Sequence, residues 1–317
     1  MARTRLFFAT DVHGSLKVMQ KFVWAGKFYK VDVLVLGGDI TGKAVVPIVA
    51  LPDGSYQVKV AGTLQQVQTE EELKQLETRL QNMGNYIYRT SPEEMNHLSS
   101  NVAAIGELFS RVMTESIQNF LRHAKEYLKR TGIQIYVQAG NDDPLTVRTL
   151  LNESDFAINP EEKVVEIDKF HEMISLGHSN LTPWNCPGDI PEEKLRDKIE
   201  HLASQVTKMD NCIFNLHCPP FDTELDIAPE LDESLTVIFR QGRMSMVSVG
   251  STAVRESIEE HQPLLGLHGH IHESRGAFKI GRTVCINPGS EYSEGVLRGV
   301  IINLYKKGMK GYQFVSG

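Results

Sequence analysis

The fold turns on Arg5-Leu6-Phe7-Phe8-Ala9-Thr10-Asp11-Val12-His13-Gly14. A short apolar run that carries aromatic residues and is bounded by turn formers reads as a buried strand. Asp11 and His13 follow at its carboxyl end, two residues apart, so a carboxylate and an imidazole converge on one spot. Hard oxygen beside borderline nitrogen suits a divalent metal. Downstream, Ser15 is a cap for a helix to about Ala25, with Leu16, Met19, Phe22 and Val23 on one face. The run Val31–Leu36 is a second strand, and it opens into Gly37-Gly38-Asp39. Strand, helix and strand make the unit of a parallel sheet, where ligands collect at the carboxyl ends of strands. Asp39 stands at such an end.

From residue 43 to about 130 the pattern changes and reads as an insertion within one domain spanning 1–317. Val45–Leu51 and Tyr56–Val60 flank Asp53-Gly54, a hairpin signal. Thr69 and Glu72 form a capping box for a helix carrying Leu73, Leu76 and Leu80. A second helix starts at Ser91-Pro92-Glu93-Glu94 and is expected to run to Gly132, with Gly106 as its break point. His97 and His123 fall among helical residues with no sign of chemistry. The insertion is expected to act as a lid or as a contact surface for a second copy of the chain.

The later strands repeat the pattern of the first. Ile133–Ala139 ends in Gly140-Asn141-Asp142-Asp143, and Cys212–Leu216 ends in His217. Leu264–Leu267 leads into His268-Gly269-His270-Ile271-His272. Lys163–Ile167 and Glu172–Leu176 pair as a hairpin, and a helix runs from Pro191 to about Met209. Phe221–Gln241 reads as irregular. Thr283–Ser290 and Arg298–Leu304 read as antiparallel strands closing a second sheet.

Composition limits the function classes. A net charge of −7 speaks against a basic footprint, so nucleic acid is disfavoured as a partner. No apolar run is long enough to cross a bilayer, and the first residues do not read as a signal peptide. None of the four cysteines forms a Cys-x-x-Cys pair, and reduced, buried thiols in a cytoplasmic protein are expected.

Five strand ends thus bear metal-type side chains: Asp11 with His13, Asp39, Asn141, His217, and His270 with His272. One such end means little, since a lone His there is usually a hydrogen-bonded core residue. Five together point to a site. The mix of carboxylates, imidazoles and an amide oxygen suits two divalent ions such as manganese, iron, zinc or nickel. Asp39, in mid-order, is the natural shared ligand.

These blocks (Asp-x-His, Gly-Asp, Gly-Asn-x-Asp, a lone His and Gly-His-x-His) resemble the calcineurin-like metallophosphoesterase superfamily. Together with Ser179–Asn185 and Gly269–Gly276, they resemble its Icc-related predicted phosphoesterases. The resemblance covers the chain outside roughly 41–133. It implies an α/β fold, a four-layer α/β/β/α sandwich of two mixed sheets. It implies one metal on Asp11, His13, Asp39 and His272, and a second on Asp39, Asn141, His217 and His270. It also implies hydrolysis of a small phosphomonoester or phosphodiester by a metal-bridging hydroxide. The chain departs from the family where many members have a His after the motif Asn and this one has Asp142. Asp142 serves as leaving-group acid only if its pKa is raised, for example by Asp143; otherwise it merely orients His217 or plays no part. His178 is a substitute acid or phosphate contact. Arg275 is a phosphate clamp or, equally, half of an ion pair with Glu273. His268 is expected to support a ligand from behind or to be packed, and Trp184 and Phe221 to line a pocket or, more simply, to sit in the core. The rival functions are a nuclease and a non-catalytic scaffold.

Overall fold

In the computed structural model, which describes residues 3–317, Leu6, Phe7, Phe8 and Ala9 are all fully buried. Alternation is lost because both faces of the Arg3–Ala9 strand are covered. It lies mid-sheet in the order Gly308–Ser316, Arg298–Tyr305, Arg3–Ala9, Val33–Gly37, Gln134–Gln138. It pairs parallel with Val33–Gly37 and antiparallel with Arg298–Tyr305. A second, six-stranded sheet runs Gly276–Ile280, Thr283–Asn287, Leu265–Leu267, Cys212–Leu216, Glu172–Leu176, Val164–Glu166. Its four inner strands are parallel and its edge strands antiparallel.

Side-chain alternation sorts these strands into layers. Leu6, Phe8, Val33 and Val35 of the first sheet meet Met173, Ile213, Leu265 and Ile286 of the second. Phe7, Ala9, Leu34 and Leu36 point the other way, onto Val18, Phe22 and Phe120 of the helices Leu16–Phe28 and Val102–Leu128. On the far side, Ile174, Phe214 and Leu216 cover Leu195, Ile199, Val254 and Ile258 of Glu192–Ala203 and Thr252–His261. The result is an α/β/β/α sandwich. Two consecutive strands point their carboxyl ends at one rim, and the metal-type residues begin where each strand stops.

The segment after Asp39 builds its own four-stranded sheet, ordered Thr63–Val67, Tyr56–Val60, Ala44–Ala50, Asn85–Thr90. It has a small core of Ile48, Val58, Leu73, Leu76 and Leu80 beneath the helix Glu70–Asn82. Thr69 and Glu72 form the capping box. The sheet is fastened behind the Asp11–Ser15 loop: Tyr86 Oη accepts from Gly42 N at 2.8 Å, and Ser15 Oγ donates to Asn82 O.

Several expectations change. The hairpin gains a third strand, Thr63–Val67, and a parallel fourth, Asn85–Thr90, which pairs with Ala44–Ala50 across some forty residues. The break between helices falls at Ser100–Asn101, because Asn101 accepts from Ala104 N and starts a new helix there. Gly106 lies inside that helix with open space where a Cβ would be. The helix after Pro191 stops at Ala203. Phe221–Gln241 is not wholly irregular: Ile227–Pro229 pairs with Met246–Ser248, and Phe239–Arg240 with Arg243–Met244. Arg298–Tyr305 joins the first sheet rather than the second, since alternation in a strand does not say which sheet will cover it.

Candidate metal centre

The ends of both sheets meet at one rim. Asp11, His13 and His272 offer ligand atoms within 4.8 Å of one another, and so do Asp39, His217 and His270. His13 Nε2 lies 3.1 Å from His272 Nε2, which is 3.4 Å from Asp11 Oδ1. Asp39 Oδ2 sits between the two groups, 3.7 Å from His13 Nε2 and 3.4 Å from His217 Nε2. Asp11 Oδ1 reaches within 3.8 Å of His217 Nε2. Residues up to 261 positions apart are thereby gathered, Asp11 and His272 being the extremes.

The chain places them at a conformational cost. Asp11, His13, Asp39 and His270 all have positive φ, between 39° and 67°. For residues with a Cβ this left-handed backbone costs on the order of 1–3 kcal/mol each. Local bonds hold the loops: Asp11 N donates to Gly38 O at 3.0 Å, His13 N to Asp39 O at 3.0 Å, and His270 N to both Asp11 carboxylate oxygens. Ser290 Oγ donates to Asp11 O at 2.6 Å. Gly38, at φ +116°, is required as glycine, because a Cβ would stand 2.6 Å from His217 Nδ1.

The donor set fits a cation. Asp11 and Asp39 are buried carboxylates, and buried charges need partners or metals. His217 Nδ1 is 2.9 Å from Gly37 O, which leaves Nε2 buried and without a hydrogen-bond partner among the described residues. Asn141 Oδ1 is orphaned likewise, because Asn141 Nδ2 donates to Asp189 Oδ1 at 2.8 Å. Burial lowers the pKa of His13 to about 3 and of His270 to about 4, so both present free lone pairs. His217 is also pushed down by burial, but the charges of Asp39 and Asp11 outweigh that and raise it to about 10.

The residues after Asn141 divide their work. Asp143 accepts from Ile40 N, Thr41 N, Thr41 Oγ1 and Gly140 N, so it ties the Asp39 loop to the Asn141 loop. Burial, and then the charge of Asp39, raise its pKa to about 6. Asp142 turns toward the site instead: its Oδ2 is 3.8 Å from His13 Nδ1 and 3.1 Å from Lys43 Nζ. It does not orient His217, whose ring is fixed by Gly37 O and Asp39.

His178 lies elsewhere. Its Nδ1 is 2.9 Å from Gly188 O, and its Nε2 sits 3.3 Å from Arg148 Nη1 and 3.4 Å from Glu162 Oε1, so both ring nitrogens are committed. Arg275 stacks its guanidinium over the Phe314 ring at 5.1 Å and forms no ion pair with Glu273 among the described residues. His268 is packed, with Nδ1 2.8 Å from Leu216 O. Trp184 is exposed (62%) and Phe221 partly so, against the expectation of core packing; both stand on loops outside the sheets.

Three residues at the site carried no motif. Lys43 follows Asp39 at the start of the insertion. Asp189 grips the Asn141 amide and the loop Thr182–Cys186 together. Tyr292 lays its ring 4.6 Å from that of His13. Only Lys43 had a signal, its nearness in sequence to Asp39.

No family model matches the chain. The uncharacterized protein MJ1162 of Methanocaldococcus jannaschii is 32% identical over 158 residues, 49% of this chain. The match spans 64% of that relative's length, less than two thirds. One solved structure superposes with a TM-score of 0.59 at 17% identity, covering 98% of this chain and 99% of its own. Another, TT1561 of Thermus thermophilus, gives 0.54 at 13% identity, covering 100% and 99%. At such identities the likeness concerns the fold. That fold is the α/β/β/α sandwich of two mixed sheets described above, with the candidate ligand blocks at its strand ends.

Proposed function

We propose that the protein is a metal-dependent phosphoesterase that holds two divalent cations and hydrolyses a small phosphate ester. The observation that carries this reading is Asp39 Oδ2, placed within 3.7 Å of His13 Nε2 and 3.4 Å of His217 Nε2. One carboxylate oxygen is thus poised to serve both clusters. Asp11, His13, Asp39 and His272 would hold one cation, and Asp39, Asn141, His217 and His270 the other. When bound, such a pair supplies charge that activates a water and offsets the negative charge building on the phosphoryl oxygens.

The chain's own residues do the positioning. Gly37 O accepts from His217 and fixes the tautomer that leaves Nε2 free. Asp189 holds the Asn141 amide nitrogen, which leaves the buried Oδ1 available as a ligand. Asp142 N donates to Asp39 Oδ1 at 3.0 Å, which orients the shared carboxylate and leaves Oδ2 to the site. Four free cysteines, three of them buried, are compatible with a reducing cytoplasmic setting.

The test is metal content together with turnover. The pure protein is expected to carry close to two manganese ions per chain and to cleave p-nitrophenyl phosphate or its bis ester. Asp39→Asn should abolish both the second ion and turnover. A chain that takes up no metal, or an Asp39→Asn variant with unchanged turnover, refutes the assignment and favours a non-catalytic scaffold.

A further inference from the structure

The cluster described above leaves one charged group unexplained. Lys43 Nζ stands 3.1 Å from Asp142 Oδ2, and Asp142 in turn lies within 4.8 Å of ligand atoms of both His13 and Asp39. A cation is therefore parked at the edge of the cluster, at the position after the motif Asn. The carboxylate after Asn141 is paired with an ammonium that reaches it from another segment. The two side chains are part-exposed, at 53% for Lys43 and 31% for Asp142, so they open toward solvent. A half-exposed ion pair contributes little and is exchanged readily for a stronger anion. Lys43 is held from behind as well. Gly42, its neighbour, packs against Gly84, and Gly42 N donates to Tyr86 Oη, so the insertion's sheet fixes the backbone that carries the ammonium.

We propose that Lys43 is a substrate-contacting residue: its ammonium leaves Asp142 for the phosphoryl group and stabilises charge on the leaving oxygen. This deepens the phosphoesterase reading and rests on it. In the hydrolysis, a water oxygen forms the new bond to phosphorus and gives up one proton to solvent, while the ester P–O bond breaks. The ester oxygen departs with the electron pair and takes its proton from solvent, and Lys43 keeps its own. Asp142 is a positioning residue, which holds the ammonium in place while the site is empty of substrate. The insertion thereby contributes to the site through its first residue.

The experiment uses the full chain loaded with manganese, as wild type, Lys43→Ala and Lys43→Arg. Three quantities are read: metal content, affinity for inorganic phosphate by titration calorimetry, and turnover of an aryl and an alkyl phosphate. Lys43→Ala should keep its metal, bind phosphate at least tenfold more weakly, and lose at least tenfold more on the alkyl than on the aryl ester. Alkoxide leaving groups carry more charge that needs support. Lys43→Arg keeps the charge but cannot release a proton, so it should restore most of both effects. Unchanged phosphate affinity in Lys43→Ala overturns the contact. Weaker phosphate with an unchanged aryl-to-alkyl ratio puts Lys43 on a spectator oxygen and overturns the leaving-group assignment. Restoration absent in Lys43→Arg points to proton donation and overturns the electrostatic role. Wild type without metal uptake fails the phosphoesterase reading itself, before any variant is compared.

Discussion

Removing the Asp189 carboxylate should weaken one half of the candidate metal centre and leave the other half intact. Asp189 Oδ1 accepts from Asn141 Nδ2 at 2.8 Å, and its Oδ2 accepts from Thr182 N at 3.0 Å and Cys186 N at 2.9 Å. The first bond holds the Asn141 amide nitrogen and leaves its buried Oδ1 without a hydrogen-bond partner among the described residues, open to a cation. With the carboxylate gone, the amide is free to turn its NH2 inward, where a donor repels a cation. Partners that orient a metal ligand in this way are worth roughly 10–100-fold in metal affinity, or about 1.4–2.8 kcal/mol. The loop bonds are partly exposed, so water replaces some of them, and the loss in stability is about 1–2 kcal/mol. Manganese titration of Asp189→Ala by calorimetry should show one site at wild-type affinity and one weakened by that factor, with urea unfolding shifted modestly. Two sites of unchanged affinity would refute the claim that Asn141 is aimed through Asp189. Equal weakening of both sites would refute the division of ligands into two clusters.

Two further outcomes follow from the same geometry. Gly38→Ala puts a Cβ 2.6 Å from His217 Nδ1 at a φ of +116°, so it should cost about 3 kcal/mol or more in urea unfolding and depress metal uptake; a variant of wild-type stability would show that the loop tolerates a side chain there. Cys212, Cys218 and Cys285 are buried, and burial pushes each thiol up to about 12, while half-buried Cys186 reaches about 11. Ellman's reagent should therefore find at most one slow thiol in the native protein and four after unfolding, and fast labelling of two or more would contradict the packing of the second sheet.

The seven metal-type residues were legible because each belongs to a local pattern. An apolar run ends and a carboxylate, amide or imidazole follows, in most cases beside a glycine. Such patterns survive in a one-dimensional string. The residues around them do not advertise themselves in that way. Asp189 lies 48 positions from the amide it orients, and Lys43 lies 99 positions from Asp142 in sequence. Beyond the nearness of Lys43 to Asp39, nothing in their neighbours marks them. His178 and Arg275 show the converse, since each stands beside a motif yet is drawn to Gly188 and Glu162 or to Phe314 by packing across the fold.

The sequence by itself determined the kinds of ligand atoms, their order along the chain and their place at strand ends. Strand propensity and glycine punctuation act over a few residues and are written into those residues. Only the tertiary structure decided that Arg298–Tyr305 joins the first sheet, that the segment after Asp39 closes a four-stranded sheet, and that Asp11, His13, Asp39 and His270 adopt left-handed backbone. Those outcomes depend on which apolar faces cover one another, and on packing strong enough to hold four strained residues at one rim. That is a property of the whole chain's burial, which no stretch of it carries alone.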